Sequence, residues 1–287
     1  MSEQPAPVDA VPPASPLRVG FIGLGSQGGP MARRIAEAGV PTVLWARRQE
    51  TLDAYADTAA EYAASTAELG ARVDLACVCV VDDAGVQEVV AGPDGLLSTL
   101  APGSIIAVHS TVHPDTCQRL AAQAAAQGIT LIDAPVSGGG PGAAAGRLLV
   151  MVGGDAATLE KVRPVFATYA NPIVHLGPVG AGQRAKLINN LTMTANLGVL
   201  ESAYALARSL DVDPAQLATV LANGSGNSFA VNVLRGPDFV LGPFGAAAGA
   251  LLQKDVRLVV DLAAAGDSPG VVLTAADAAL DSMGCPR

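Results

Sequence analysis

The stretch Leu17-Arg18-Val19-Gly20-Phe21-Ile22-Gly23-Leu24-Gly25-Ser26-Gln27-Gly28-Gly29-Pro30-Met31-Ala32 decides the fold. The apolar run 17–22 reads as a strand and the segment from Pro30 to Ala38 as an amphipathic helix, with Gly23-x-Gly25-x-x-Gly28 joining them. A lone glycine pattern of this kind is a weak signal. Between a strand and a helix, at the start of a βαβ unit, it is what dinucleotide binding requires. Gly23 would make the tight turn, Gly25 would let the backbone approach a pyrophosphate, and Gly28 would let helix and strand pack closely. Leu24, Ser26 and Gln27 complete the loop. The phosphates would rest on the helix N-terminus, where free N–H groups and the helix dipole favour anions.

Outward from this loop, short β-type runs recur at 42–45, 74–80, 104–108, 129–133, 148–153 and 172–176. Amphipathic segments such as 31–38 and 114–127 lie between them. Continuous apolar strands separated by helices imply a parallel sheet covered on both faces. The second strand ends at Trp45-Ala46-Arg47-Arg48, where an NAD-preferring fold of this type places an acid for the ribose hydroxyls. Two guanidiniums stand there instead, and Arg pairs with a phosphate through a planar fork. NADP is therefore expected over NAD, read by Arg47 first and Arg48 second, although either arginine also fits a solvated helix start.

After Gly177 the texture changes. Residues 183–210 form one long helical pattern whose apolar faces carry Leu187, Leu191, Leu197, Leu200 and Tyr204. Its sparse charge suits a domain junction or a dimer interface. Further helical segments are expected at 214–222, 228–235, 246–265 and 270–283. The expected organisation is α/β: a disordered tail over 1–15, a Rossmann-type parallel-sheet domain over 16–178, and an all-helical domain for substrate and dimerisation over 179–287.

With 287 residues, the chain is long enough for two domains. A net charge of −9 argues against nucleic acid, whose phosphates need a basic patch. The purest apolar run, Leu75–Val81, is far short of the ~18 residues that would span a bilayer. No basic start followed by an apolar stretch marks a secretory signal. Cys77, Cys79, Cys117 and Cys285 have neither zinc-like nor disulfide-like spacing, and His109, His113 and His175 are too scattered for a metal site. A cytoplasmic protein without a metal is expected.

Three further motifs carry chemistry. Asp133-Ala134-Pro135-Val136-Ser137-Gly138-Gly139-Gly140 follows a strand and so lies at the carboxyl edge of the sheet, where ligands of open α/β sheets bind. A Ser hydroxyl with successive glycine N–H groups makes a compact anion nest suited to a small carboxylate; as a bare sequence, SGGG also fits a flexible loop. In Gly180-Ala181-Gly182-Gln183-Arg184-Ala185-Lys186-Leu187-Ile188-Asn189-Asn190, Lys186 and Asn190 fall on one helix face, with Asn189 turned by about 100°. A lysine among apolar neighbours has a lowered pKa and can exchange a proton near neutrality. It is one of only three lysines, with Lys161 and Lys254. Lys254-Asp255-Val256-Arg257-Leu258 reads equally as a surface pair or a cofactor contact.

Together GFIGLGSQGGPMA (20–32), HSTVHP (109–114), DAPVSGGGPGAAAG (133–146), GAGQRAKLINN (180–190) and KDVRL (254–258) make the chain resemble the β-hydroxyacid dehydrogenases over about residues 17–283. That family includes 3-hydroxyisobutyrate dehydrogenases and reductases of glyoxylate and succinic or tartronate semialdehyde. The resemblance implies a Rossmann domain joined to a helical one, with the site in the cleft and a homodimer or homotetramer. It implies that Lys186 is the catalytic lysine with Asn190 as its partner, and that Ser137, Gly138 and Gly139 hold a substrate carboxylate. Thr111 would contact the nicotinamide end, Lys254 the cofactor, and Val81 and Asp82 would line the dinucleotide. Gln27 stands where the family usually has Met, and Ala46 where Asn or Asp is common. Imine reductases share the fold but usually replace the lysine. Reduction of imines or other carbonyls, and a non-catalytic NADP-binding scaffold, are the alternatives.

Overall fold

A computed structural model describes residues 17–234, 239–263 and 270–287. The expected tail over 1–15, residue 235 and residues 264–265 lie outside the described residues. Strands β1 (Val19–Ile22), β2 (Thr42–Trp45), β3 (Glu61–Tyr62), β4 (Leu75–Val78), β5 (Ile105–Val108) and β6 (Thr130–Asp133) form a parallel sheet ordered β3-β2-β1-β4-β5-β6. Helices α1 (Gly28–Glu37), α2 (Gln49–Asp53), α3 (Thr66–Gly70), α4 (Asp83–Ala91) and α5 (Pro114–Ala125) connect them.

Side chains alternate along a strand, so the buried strands feed two cores. Val19, Phe21, Ile105 and Ala107 pack with Met31, Ile35, Phe166 and Tyr169. Ile22, Ile106 and Val108 pack with Val86, Val89 and Leu120 on the opposite face. Burial on both faces is why the strands read as unbroken apolar runs. Chain order reverses between β1 and β4, which opens a crevice beyond their carboxyl ends.

The single sheet expected from the strand pattern is instead two. The runs near 148–153 and 172–176 become β8 (Leu148–Val152) and β9 (Ala170–His175), which join β7 (Val136–Ser137) in a separate sheet ordered β7-β8-β9. Helix α6 (Gly139–Ala144) turns the chain back so that β7 pairs antiparallel with β8, and α7 (Ala156–Phe166) leads to a parallel β9. Strands β3 and β7 have two residues each, too few to leave a periodic signal.

Helix α8 (Ala181–Ser209) follows, then α9 (Pro214–Asn223), α10 (Phe229–Val233), α11 (Gly242–Ala263) and α12 (Gly270–Ser282). Leu187, Leu191, Leu197, Leu200 and Tyr204 of α8 are buried as its pattern requires. They divide between two small cores, one with Leu241 and Ala279, the other with Val256, Val259 and Leu280. A Cβ at Gly198 would stand 2.4 Å from the Ala275 carbonyl oxygen, so α12 can approach α8 closely only over a glycine. Ile188, Val199, Leu206 and Leu210 leave another flank of this segment apolar and exposed.

Candidate active site

The glycine loop lies at the crevice. Gly23 has φ +95°, and a Cβ there would sit 2.1 Å from the Cys79 carbonyl oxygen. A Cβ on Gly28 would meet the Gly23 oxygen at 2.1 Å, whereas one on Gly25 would meet nothing within 4 Å. The first and third glycines thus let the chain pack, and the second leaves an open backbone surface. Side chains cap the N-termini of α4, α5, α7 and α9 through Asp82, His113, Asp155 and Asp213. At α1, Gln27 makes no capping bond and no acid stands in the first turn. A helix N-terminus left uncapped beside an open glycine fits a pyrophosphate.

Two adjoining cavities run along this edge. One, of about 500 Å3, is bordered by Gly23, Leu24, Trp45, Arg47, Arg48 and Thr51. The other, of about 330 Å3, is bordered by Ser26, Gln27, Thr111, Lys186, Asn190 and Lys254. Gly25, Cys79, Val80 and Val81 border both, so the two form one trough from the arginines to the lysine. Among the described residues neither Arg47 nor Arg48 has an ion-pair partner. Asp82 is not part of the trough; its carboxylate accepts the Gly85 N–H at 2.8 Å and starts α4. Asx capping is a common use of an Asp that begins a helix, and Asp82 serves it here.

Lys186 is 8% exposed, and burial pushes its ammonium down to about 8 despite the counteracting charge of Asp255; the nearby Lys254 lowers it further. Among the described residues it makes no hydrogen bond. Asn190, one turn on, donates from Nδ2 to Asp255 Oδ2 at 2.5 Å. Asp255 Oδ1 lies 2.9 Å from Lys254 Nζ, which itself donates to the Thr111 carbonyl at 2.5 Å. The Lys254-Asp255 pair is therefore an internal strut joining α11 to α8 and to the loop after β5.

Asn190 also borders a third cavity, of about 440 Å3, together with Ser137, Gly138, Asn189 and Phe229. Gly138 has φ +127° and Gly139 φ +64°. Gly139 opens α6 and does not border this cavity, in contrast to Gly138. The sequence-selected residues thus converge on one cleft, with Asp82 and Gly139 outside its walls.

Sequence reasoning assigned no role to several residues that hold the cleft together. Asp133, fully buried at the end of β6, accepts the N–H groups of Gly180 at 2.6 Å and Gln183 at 2.7 Å, fixing the first turn of α8 to the sheet. Desolvation raises its carboxyl to about 6, and those two hydrogen bonds oppose the rise. Gln183 grips the loop after β5, accepting from Val112 N–H at 3.1 Å and donating to the Ser110 carbonyl at 2.8 Å. His109, buried at the trough, lies 2.7 Å from the Ala134 carbonyl and is pushed down to about 4 by burial, so it is neutral at physiological pH. Burial pushes the free thiols of Cys77 and Cys79 well above the usual cysteine range. No metal-binding cluster occurs among the described residues, and no helix there is long and apolar enough to cross a membrane.

Comparison with known proteins agrees with this architecture. Residues 18–177 match the NAD-binding domain of 6-phosphogluconate dehydrogenase, and residues 180–285 match the NAD-binding domain of NADP-dependent 3-hydroxyisobutyrate dehydrogenase. The chain is 32% identical to 2-(hydroxymethyl)glutarate dehydrogenase of Eubacterium barkeri over 88% of its own length and 84% of that protein. It is 36% identical to the NAD-dependent L-serine dehydrogenase of Pseudomonas aeruginosa over 75% of its length and 72% of that protein. Among solved structures, 3-hydroxyisobutyrate dehydrogenase of Mycobacterium tuberculosis with L-serine superposes with a TM-score of 0.80 at 30% identity, covering 92% of each chain. The chain belongs to the β-hydroxyacid dehydrogenase family and is an NAD(P)-dependent dehydrogenase acting on CH–OH groups.

Proposed function

We propose that the protein interconverts a small β-hydroxy acid of the 3-hydroxyisobutyrate type and its semialdehyde, with NADP preferred. A single observation carries this reading: one buried, unpaired ammonium with a pKa near 8 borders the same trough as the uncapped glycine loop. When bound, the nicotinamide takes up or delivers the hydride. In oxidation, neutral Lys186 accepts the proton of the substrate hydroxyl; in reduction, its ammonium returns that proton to the carbonyl oxygen. Asn190, held by Asp255, orients the same oxygen. Ser137 and Gly138, with Gly139 behind them, receive the substrate carboxylate.

Gly23, Leu24, Gly25, Ser26, Gln27 and Gly28 form the pyrophosphate cradle in this reading, with Val81, Thr111 and Lys254 along the nicotinamide half. Arg47, backed by Arg48, reads the 2′-phosphate, because two unpaired guanidiniums stand at the end of β2. The same reading divides the chain into a dinucleotide domain over 16–178 and a helical domain over 179–287, working in the cytoplasm as a homodimer or homotetramer. The exposed apolar flank of α8 supports self-association.

The test is a panel of 3-hydroxyisobutyrate, glycerate, 4-hydroxybutyrate, serine and cyclic imines, each with NADP(H) and NAD(H). Highest kcat/KM with a β-hydroxy acid and NADP is expected. Turnover confined to imines would overturn the reading.

A further inference from the structure

The cavity of about 440 Å3 beyond Asn190 contains more than a site for one carboxylate needs. Ser137 and Gly138 stand at one part of its wall, and the guanidinium-bearing Arg147 at another. Ser137 pairs across the β7–β8 ladder with Leu149, and Arg147 precedes Leu149 by two residues, about 7 Å along the chain. The rest of the lining is mixed, with apolar Leu149, Pro172, Met193 and Phe229 beside polar side chains of α8 such as Asn190 and Asn196. Arg147 is the one charged side chain bordering this cavity among the described residues, and it has no ion-pair partner there. In a chain of net charge −9, an arginine without an acidic partner on the border of this cavity favours an anion there.

We infer that Arg147 receives a second oxyanion, carboxylate or phosphoryl, at the far end of the substrate, so that the preferred substrate is a dianion with a short methylene spacer. This rests on the proposed hydroxyacid chemistry and names its substrate class. The spacer lies against the apolar side chains of that lining, the first carboxylate sits at Ser137 and Gly138, and the hydroxyl points past Asn190 to Lys186. A guanidinium suits the second anion because its planar fork binds two oxygens at once. A substrate with one anion would leave that fork solvated and gain nothing from it.

Binding to the NADP+-saturated protein by titration calorimetry tests this with butyrate, glutarate and 3-phosphonopropanoate. The wild type should bind at least one of the two dianions about tenfold more tightly than butyrate, the size of one charge-assisted contact at a partly hydrated site. The better of the two identifies the second group as carboxylate or phosphoryl. In R147Q the ratio should fall close to one, and R147K should recover part of it. Equal affinity for all three, or an unchanged ratio in R147Q, overturns the inference. Oxidation of 3-hydroxyisobutyrate and 2-(hydroxymethyl)glutarate by the wild type separates the two readings. Turnover without a dianion advantage sinks only the Arg147 assignment. A dianion advantage in binding with no turnover of any hydroxy acid sinks the hydroxyacid reading and leaves Arg147 an anion receptor.

Discussion

The two walls of the cleft are made by different means. The sheet wall presents backbone: glycines, an uncapped helix end and strand termini packed between two large cores. The helical wall presents side chains, with Lys186 and Asn190 of α8 and Asp255 of α11 set over two smaller cores. A backbone surface is tolerant of most side-chain changes except at glycine. A side-chain surface fails one residue at a time. Binding of the cofactor and transfer of the proton should therefore be separable by mutation.

The largest separation is expected from Lys186→Ala. Removing a general acid or base lowers kcat by about 10³-fold, while NADPH affinity, followed by fluorescence titration, should stay within about twofold. A variant turning over at the parent rate would detach Lys186 from the chemistry. Next comes Gly23→Ala, which breaks the other wall. Its φ of +95° and its approach to Cys79 forbid a methyl group, and the cost of about 2 kcal/mol or more should appear as a lowered Tm and lost cofactor binding together. Arg47→Ala should reduce the kcat/KM ratio for NADPH over NADH by about tenfold, the worth of one charge-assisted contact; an unchanged ratio removes Arg47 as the phosphate reader.

The mildest test is pH. Burial holds Lys186 near 8, with Asp255 raising it and Lys254 lowering it. With Lys186 as the proposed proton carrier, reduction draws on its ammonium, so its rate should be full below that value and decline as pH rises through about 8. Oxidation needs the neutral amine and should rise over the same interval. Steady-state profiles in both directions check the crossing, which Asp255→Asn should move to lower pH because it removes the anion that favours the charged form.

What the sequence disclosed depended on distance along the chain. The glycine loop, the arginines after β2, and the Lys186–Asn190 pair are local patterns, readable because strand and helix periods fix which residues share a face. Asp133 holds α8 across 47 and 50 residues, and Asp255 reaches Asn190 across 65, so no spacing rule reveals either bond. Asp255 sat inside a recognised motif, yet its motif could not say whether it faced water or the core. Asp82 shows a complementary limit. An acid after a strand suits a ligand edge, but three residues before a free helical N–H it is also a cap. The second sheet was hidden because its first strand is only two residues long.

One consequence follows from Asp133. A carboxylate that clasps the opening turn of α8 makes that turn a fulcrum, and Lys186 stands little more than one turn beyond it. The depth of Lys186 in the cleft is then set by a carboxylate on β6 more than by the helices packed farther along α8.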